Sequence, residues 1–269
     1  MNKDIRLIAA DIDGTIVPVR EDPAAFTIET IERIMDAGIL FGPASGRPID
    51  DIIDRYKEWG LSRQFDFIIG WNGSELYDNE TKQRYRYNFL KKEWIREIID
   101  FMSQFPAYIS IYLPGIYLSS AEHEKGVLSA YRTHRRFVLA QNISEFYAQD
   151  NGGIMFRYDP KLTPVIKEKL SALKDKEYVG FNTQPDLLEF SHRDSSKGFA
   201  LARLCELKGI DLKQCCSFGD TSNDESMFKI SNGICMCDGN PESIAKAACI
   251  TDYSCRDDGF ARYVREHIL

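Results

Sequence analysis

One stretch decides the fold of this chain: Ile5-Arg6-Leu7-Ile8-Ala9-Ala10-Asp11-Ile12-Asp13-Gly14-Thr15. Its first six residues form a short, mostly apolar run, which predicts a strand buried on both faces. Gly14 then allows the chain to turn sharply. Side chains along a strand alternate with a period of two, so we expect Asp11 and Asp13 to point towards the same space beyond the strand end.

Two carboxylates at one strand end need a compensating charge. At a separation of 4 Å, in surroundings with the dielectric of a protein surface, they repel each other by about 4 kcal/mol. A hard divalent cation such as Mg²⁺ relieves this repulsion, since it binds one or two carboxylates and keeps its other waters. The calcium-loop pattern fails, because Thr15 and Asp22 stand where such a loop has its third Asp or Asn and its glutamate. Alone, the stretch indicates either metal-assisted chemistry or a solvated turn.

Length and composition limit the class of protein. A chain of 269 residues is long for one domain and suits a core with an insertion. Its 43% hydrophobic and 28% charged residues are ordinary for a globular protein. The net charge of −7 argues against nucleic acid or an anionic membrane as a partner. With no apolar run of membrane-spanning length and no signal-peptide pattern, we expect a cytoplasmic protein.

The cysteines indicate a reducing compartment. All 7 lie beyond residue 200, their number is odd, and no C-x-x-C occurs. Several stand in apolar, strand-like runs, so we predict buried, reduced thiols. They are Cys205, Cys215, Cys216, Cys235, Cys237, Cys249 and Cys255.

Strands and helices alternate in two separate parts of the chain. This alternation predicts a parallel, doubly wound sheet, that is, a Rossmann-like α/β core. It includes a predicted helix over 49–59 and a predicted third strand over 65–70. Between the two parts lies a segment rich in Tyr and Phe, which predicts an α+β insertion without a catalytic motif. Within it, one helix is predicted over 121–135. The predicted domains are a core formed by 1–83 and 187–269, and an inserted cap formed by 84–186.

Three further segments repeat the order strand, small or charged residues, helix. Ser45-Gly46-Arg47 offers a hydroxyl and backbone N–H groups at a helix start, which suits a phosphate oxygen or an ordinary capped turn. Lys197 lies in the first turn of its helix and opposes the helix dipole, so a bound anion or simple surface exposure would explain it. Gly219-Asp220-Thr221-Ser222-Asn223-Asp224 is more specific, because a helix cap explains one of its aspartates but not the pair.

In order and approximate spacing, these motifs resemble those of the haloacid dehalogenase superfamily. The motifs that carry the resemblance are Asp11-x-Asp13-Gly14-Thr15, Ser45-Gly46-Arg47, Ser196-Lys197-Gly198 and Gly219-Asp220-x-x-Asn223-Asp224. Asn72-Gly73, Gly239-Asn240-Pro241 and the large insertion before Lys197 are similar to the Cof-type branch of phosphatases. The resemblance covers both core segments, whereas the cap matches only in size and position.

The resemblance implies a role for each motif. Asp11 would be the nucleophile that attacks phosphorus and forms an aspartyl-phosphate. Asp13 would protonate the leaving alkoxide and then deprotonate the hydrolytic water, and must therefore carry a proton at the first step. The residues implied to hold Mg²⁺ are Asp11, Asp13 through its backbone carbonyl, Asp220, and Asp224 directly or through water. Those implied to bind the phosphoryl oxygens are Ser45, Gly46, Lys197 and Asn223.

The predicted function is therefore a Mg²⁺-dependent phosphatase that hydrolyses small phosphorylated metabolites, with sugar phosphates as one candidate class. The resemblance assigns the choice of substrate to the cap. One alternative is a hexose phosphomutase, which would need a second phosphate-binding cluster of arginines in the cap. A solvated helix end accounts for Arg132, Arg135 and Arg136, and Arg157 has no obvious companion on its own strand. A non-catalytic metabolite-binding regulator is the other alternative, and the intact motif residues argue against it.

Overall fold

The computed structural model describes residues 4–19 and 21–269 and divides into two compact units. The first comprises the described residues up to Tyr87 together with Ser196–Leu269, and the second is Asn88–Ser195. These limits differ from the predicted cap, 84–186. The strand Gln83–Arg86 pairs within the first unit, and Leu187–His192 pairs within the second, so each boundary falls beyond a strand that completes a sheet.

In chain order the elements are β1 (Leu7–Ala10), α1 (Ala25–Asp36), β2 (Leu40–Pro43), α2 (Arg55–Glu58), β3 (Phe67–Gly70), β4 (Glu75–Asp78), β5 (Gln83–Arg86), α3 (Lys92–Met102), β6 (Ala107–Leu113), β7 (Ile116–Ser119), α4 (Glu124–Arg132), β8 (Arg136–Leu139), β9 (Ile154–Tyr158), α5 (Thr163–Leu170), β10 (Tyr178–Gln184), β11 (Leu187–His192), α6 (Lys197–Lys208), β12 (Cys215–Gly219), α7 (Glu225–Phe228), β13 (Asn232–Cys235), α8 (Pro241–Ile244), β14 (Cys249–Ile250) and α9 (Gly259–His267). Short 3₁₀ turns occupy Ile49–Asp51, Trp71–Gly73, Ile143–Tyr147, Pro160–Leu162, Ser171–Leu173, Leu212–Gln214 and Cys255–Asp257. No helix among the described residues is long and apolar enough to cross a bilayer.

The first unit is built on a five-stranded parallel sheet in the order β14-β13-β12-β1-β2. All four residues of β1 are buried, because helices cover both faces of the sheet. Ile8 packs in a cluster with residues of α1 and α9, whereas Leu7 and Ala9 pack in a cluster with residues of α6. The predicted doubly wound α/β core is thereby confirmed.

Two local predictions for the first unit need correction. The predicted third strand, β3, pairs antiparallel with β4 in a three-stranded sheet with β5, and a bridge between Ala44 and Ile69 joins it to the segment after β2. The predicted helix over 49–59 is only a 3₁₀ turn followed by the single turn α2. Isoleucine and aspartate fill positions 49–54, and both have lower helix propensity than straight-chain residues.

The second unit is a six-stranded sheet in the order β10-β11-β9-β6-β7-β8, antiparallel except for the pair β7 and β8. Residues of α3 and α5 pack in one hydrophobic cluster with the sheet, and Ala130 of α4 packs in another. The sequence predicted one helix over 121–135 and missed β8. The helix ends earlier because His134 adopts a left-handed conformation, with φ of 52°.

Candidate active site

The site lies where three adjacent strands of the parallel sheet end. β1 has β2 on one side and β12 on the other. The strands that follow β1 in the chain are thus added to the sheet on opposite sides of it. Such a switch point opens a crevice at the carboxyl ends of the strands, where ligands bind in open α/β sheets. Asp11, Ser45 and Asp220 follow these three strands, and all of them were predicted site residues.

Lys197 lies at the centre of a buried ionic cluster. Its side chain has no exposed surface, and its Nζ donates to Asp11 Oδ1 at 2.5 Å and to Asp224 Oδ1 at 2.6 Å. Ser196 positions it at the start of α6, since the Ser196 hydroxyl accepts a hydrogen bond from the backbone N–H of Phe199. Two carboxylates of the protein itself therefore supply the negative charge beside Lys197, in the place of the bound anion that its position in the first helical turn suggested.

Asp220 adds a third carboxylate to this cluster. Oxygens of Asp11, Asp220 and Asp224 lie within 4.8 Å of one another, and Thr15 Oγ1 donates to Asp220 Oδ1 at 3.3 Å. Asp224 is fully buried, and its Oδ2 accepts the backbone N–H groups of Asp220 and Thr221 at 3.0 and 3.1 Å. Both oxygens of Asp224 are thus engaged, so this side chain shapes the loop after β12 and holds Lys197.

The cluster carries more negative than positive charge, and the pKa values reflect it. Burial raises the pKa of Asp11 well above its ordinary value, and the charges of Asp224 and Asp220 add to the effect while Lys197 opposes it. Burial, followed by the charge of Asp224, raises the pKa of Asp220 to about 7. Burial alone would lower the pKa of Lys197, but Asp11 and Asp224 outweigh it and raise that pKa.

These residues fit a small, hard divalent cation. The donors are carboxylate oxygens, which Mg²⁺ prefers, and the three carboxylates of Asp11, Asp220 and Asp224 share a single ammonium group, that of Lys197. Gly14, with φ of 90°, lies against the same position, since a Cβ there would come within 2.5 Å of Asp220 Oδ2. The turn after β1 thus requires glycine for its conformation and for its closeness to Asp220.

Asp13 lies in the same turn but binds a different partner. Its two oxygens accept hydrogen bonds from Arg47 Nε and Nη2, at distances between 2.6 and 3.1 Å. The side chains are 33% and 26% exposed, so substrate and solvent can reach this ion pair. The sequence did not single out Arg47 as the partner of Asp13.

Asn72 lies beside the three remaining predicted site residues, Ser45, Gly46 and Asn223. Its backbone N–H donates to the carbonyl of Ser45 at 3.0 Å, and its Oδ1 accepts from Asn223 Nδ2 at 3.1 Å. A Cβ on Gly46 would lie 3.2 Å from the Asn72 amide, so these two residues are close neighbours. Asn72 adopts a left-handed conformation, with φ of 49°, and the Asn72-Gly73 dipeptide was the sequence signal for this turn.

The segment that carries Asn72 also packs against the start of α6. Gly73 has φ of 96°, and a Cβ there would lie 1.9 Å from the carbonyl oxygen of Ser196. Only glycine therefore lets this turn approach the residue that precedes Lys197.

The raised pKa of Asp220 predicts how the stability of the metal-free protein depends on pH. Folding raises this pKa from 3.8 to about 7, so between these values the folded state binds more protons than the unfolded state. The free energy of unfolding must then decrease as pH rises through this interval, by about 1.4 kcal/mol per pKa unit at most. In EDTA we expect Asp220→Asn to be more stable than the parent at pH 8 and to lose that advantage at pH 4.

Thermal unfolding at several pH values measures this difference. Asp36→Asn is the control, because the Asp36 side chain is 74% exposed. An Asp220→Asn protein that gains nothing between pH 4 and pH 8 would contradict the electrostatic account of the cluster.

Comparison with known proteins identifies the family of this chain. The sequence matches the model of the haloacid dehalogenase-like hydrolases over residues 8–264. It is 26% identical to 5-amino-6-(5-phospho-D-ribitylamino)uracil phosphatase YcsE of Bacillus subtilis, over 99% of this chain and 97% of the relative. It is 24% identical to HMP-PP phosphatase of Yersinia pseudotuberculosis, over 88% of this chain and 85% of the relative. The fold is similar to that of a haloacid dehalogenase-like hydrolase from Bacteroides thetaiotaomicron, with a TM-score of 0.85, 24% identity, and coverage of 97% and 99%.

Proposed function

The chain belongs to the haloacid dehalogenase-like hydrolase family, within its phosphatases, and on that premise we propose that it hydrolyses phosphate monoesters of small metabolites through an aspartyl-phosphate, with Mg²⁺ as its cofactor. The observation that carries this proposal is the buried cluster in which Lys197 joins Asp11 to Asp224 beside Asp220. Such a cluster is costly to bury, which is typical of a site arranged for chemistry.

Asp11 is the proposed nucleophile. One of its oxygens is held by Lys197, and the other attacks phosphorus in line with the leaving oxygen. The bond from phosphorus to the leaving alkoxide breaks, and the Asp11 acyl phosphate forms. Lys197 holds the attacking carboxylate in place and offsets charge on the phosphoryl oxygens, with Ser45, Gly46 and Asn223 as further donors.

Mg²⁺ is proposed to be held by Asp11, Asp220 and the backbone carbonyl of Asp13. Asp224 is proposed to act indirectly, by positioning Lys197 and the loop that carries Asp220. When bound, it supplies positive charge that neutralises the phosphate and the carboxylates around it. Because both oxygens of Asp224 already accept hydrogen bonds, the indirect role is the one its contacts favour.

Asp13 is the proposed acid and base. It gives a proton to the leaving alkoxide and later takes one from the water that attacks the acyl phosphate. Arg47 donates three hydrogen bonds to the Asp13 carboxylate. Proton transfer by Asp13 requires some of these hydrogen bonds from Arg47 to break. A phosphate dianion is a suitable competitor for the guanidinium.

The second unit bears on the choice between hydrolase and mutase. Arg157 is buried, and its Nη1 donates to Asp186 Oδ2 at 2.7 Å, an oxygen that Lys125 Nζ also contacts at 2.5 Å. Arg135 donates to the carbonyl of Leu113 and lies over the ring of Tyr112. Both guanidinium groups are thus engaged by groups of the protein itself, which favours the hydrolase.

A turnover experiment tests the proposal. The purified protein is incubated with hexose 1-phosphates, hexose 6-phosphates and other phosphorylated metabolites, while free phosphate and sugar isomers are both followed. We expect release of inorganic phosphate without a bisphosphate activator. Isomerisation that depends on added bisphosphate would support the mutase instead, and binding without any turnover would support a regulator.

A further inference from the structure

Two thiols lie in contact inside the first unit. The Sγ atoms of Cys205 in α6 and Cys215 at the start of β12 are 3.2 Å apart. Both residues are buried, as predicted, with exposed fractions of 2% and 0%. The same prediction is wrong for Cys237, which is exposed, and for Cys249, which is half-buried. Disulfide sulfurs are about 2.05 Å apart, so roughly 1 Å of further approach would join these two.

The contact makes the two thiols chemically unequal. The hydrogen bond between them lowers the pKa of Cys205 and, together with burial, raises the pKa of Cys215. Cys215 also contacts the carbonyl of Asp211 at 3.6 Å. Cys205 is also the more exposed of the two, at 2% against 0% for Cys215, so it is the thiol that an oxidant reaches first. Cys215, at 3.2 Å, is placed to attack the Cys205 sulfur in a second step.

The position of the pair separates it from the catalytic cluster. Cys205 lies eight residues after Lys197 in α6, which is about 12 Å along a helix. Cys215 begins β12, and Asp220 follows the other end of that strand. A bond between these sulfurs would connect the far ends of the two elements that carry Lys197 and Asp220, without touching either side chain.

We propose that Cys205 and Cys215 form an oxidisable dithiol, which a small two-electron oxidant of the diazene class converts into an intramolecular disulfide. The Cys205 thiolate attacks one nitrogen of the N=N bond, and the other nitrogen takes up a proton. Cys215 then attacks the Cys205 sulfur, the S–N bond breaks, and the nitrogen leaves with the second proton. The two thiols lose two electrons and two protons, and the diazene gains them as a hydrazine.

The disulfide should stabilise the folded protein reversibly. It joins residues ten positions apart and so restricts the unfolded chain. We expect the thermal midpoint of the oxidised protein to rise by about 5 °C and to return to its starting value after reduction with dithiothreitol. Phosphatase turnover should change by less than about two-fold, because the cross-link lies outside the cluster.

The test uses the full chain with Cys237→Ser and Cys249→Ser, which removes the exposed thiol and the half-buried one. Native protein is treated with diamide, digested with trypsin without reduction, and analysed by mass spectrometry. We expect peptides 204–208 and 214–229 to be joined, with a mass two hydrogens below their sum.

Cys216→Ala should keep this cross-link, since Cys216 packs in the core cluster on the other face of the sheet. Cys205→Ala should lose both the cross-link and the rise in thermal midpoint.

Absence of the 204–208 to 214–229 cross-link in native protein would overturn the proposal. So would a cross-link that disappears in Cys216→Ala, or one that forms without a change in the thermal midpoint. None of these outcomes depends on the catalytic assignment, because peptide masses and thermal midpoints are measured without a substrate.

Discussion

Asp11→Asn should lower phosphatase turnover by on the order of 10⁴-fold or more while leaving the protein folded. An amide oxygen is a far weaker nucleophile than a carboxylate, and this is the residue that Lys197 holds in place at 2.5 Å. Removing one of three clustered negative charges also relieves repulsion, so we expect no loss of thermal stability in the absence of metal. Turnover is measured with an activated aryl phosphate and with metabolite phosphates.

Asp66→Asn is the matched control for this variant. Asp66 is a half-buried aspartate of the same unit that accepts the backbone N–H of Phe41 at 2.9 Å, and burial raises its pKa as well. It lies outside the cluster, so its replacement should leave kcat within a few-fold of the parent. Appreciable turnover by Asp11→Asn, or an equal loss in both variants, would contradict the nucleophile assignment.

Removal of Mg²⁺ should have the second large effect. With EDTA we expect kcat to fall by about 10³-fold or more, and added Mg²⁺ to restore it, because carboxylates and a phosphate dianion would otherwise meet without compensation. Calcium should inhibit, since its larger and more flexible ligand shell would misplace Asp11. Mg²⁺ should also raise the thermal midpoint of the parent protein, as any ligand of the folded state does.

Asp220→Asn separates this effect from unspecific salt stabilisation. It removes a proposed ligand and should abolish both the activation and the rise in thermal midpoint. Asp36→Asn, at an exposed position, should keep both. Full activity after exhaustive chelation would exclude Mg²⁺ as the cofactor.

The candidate residues could be grouped from the sequence because each motif is a short local string at the end of a predicted strand. Asp11, Ser45 and Asp220 follow β1, β2 and β12, and a parallel sheet brings such ends to one edge. The two carboxylates after β1 could not be assigned to separate partners in the same way. Asp13 binds Arg47, at a separation of 34 residues, and Asp11 binds Lys197, at a separation of 186.

Other parts of the fold depend on contacts that no local pattern encodes. Asn72 joins the loop after β2 to Asn223, which lies 151 residues away. β7 and β8 pair with each other across α4, and their four residues apiece give too short a pattern for recognition beside a helix. The end of α4 depends on the left-handed conformation of one histidine, a residue that adopts such a conformation only occasionally.

The most direct test of the covalent mechanism is to trap the phosphorylated protein. The protein is mixed with acetyl phosphate or an aryl phosphate and Mg²⁺, quenched in acid during turnover, and digested with trypsin. We predict one added phosphoryl group on the peptide that spans residues 7–20, located at Asp11, sensitive to hydroxylamine and absent from Asp11→Asn. Turnover without phosphorylation of this peptide, or with the phosphoryl group on another residue, would contradict the account.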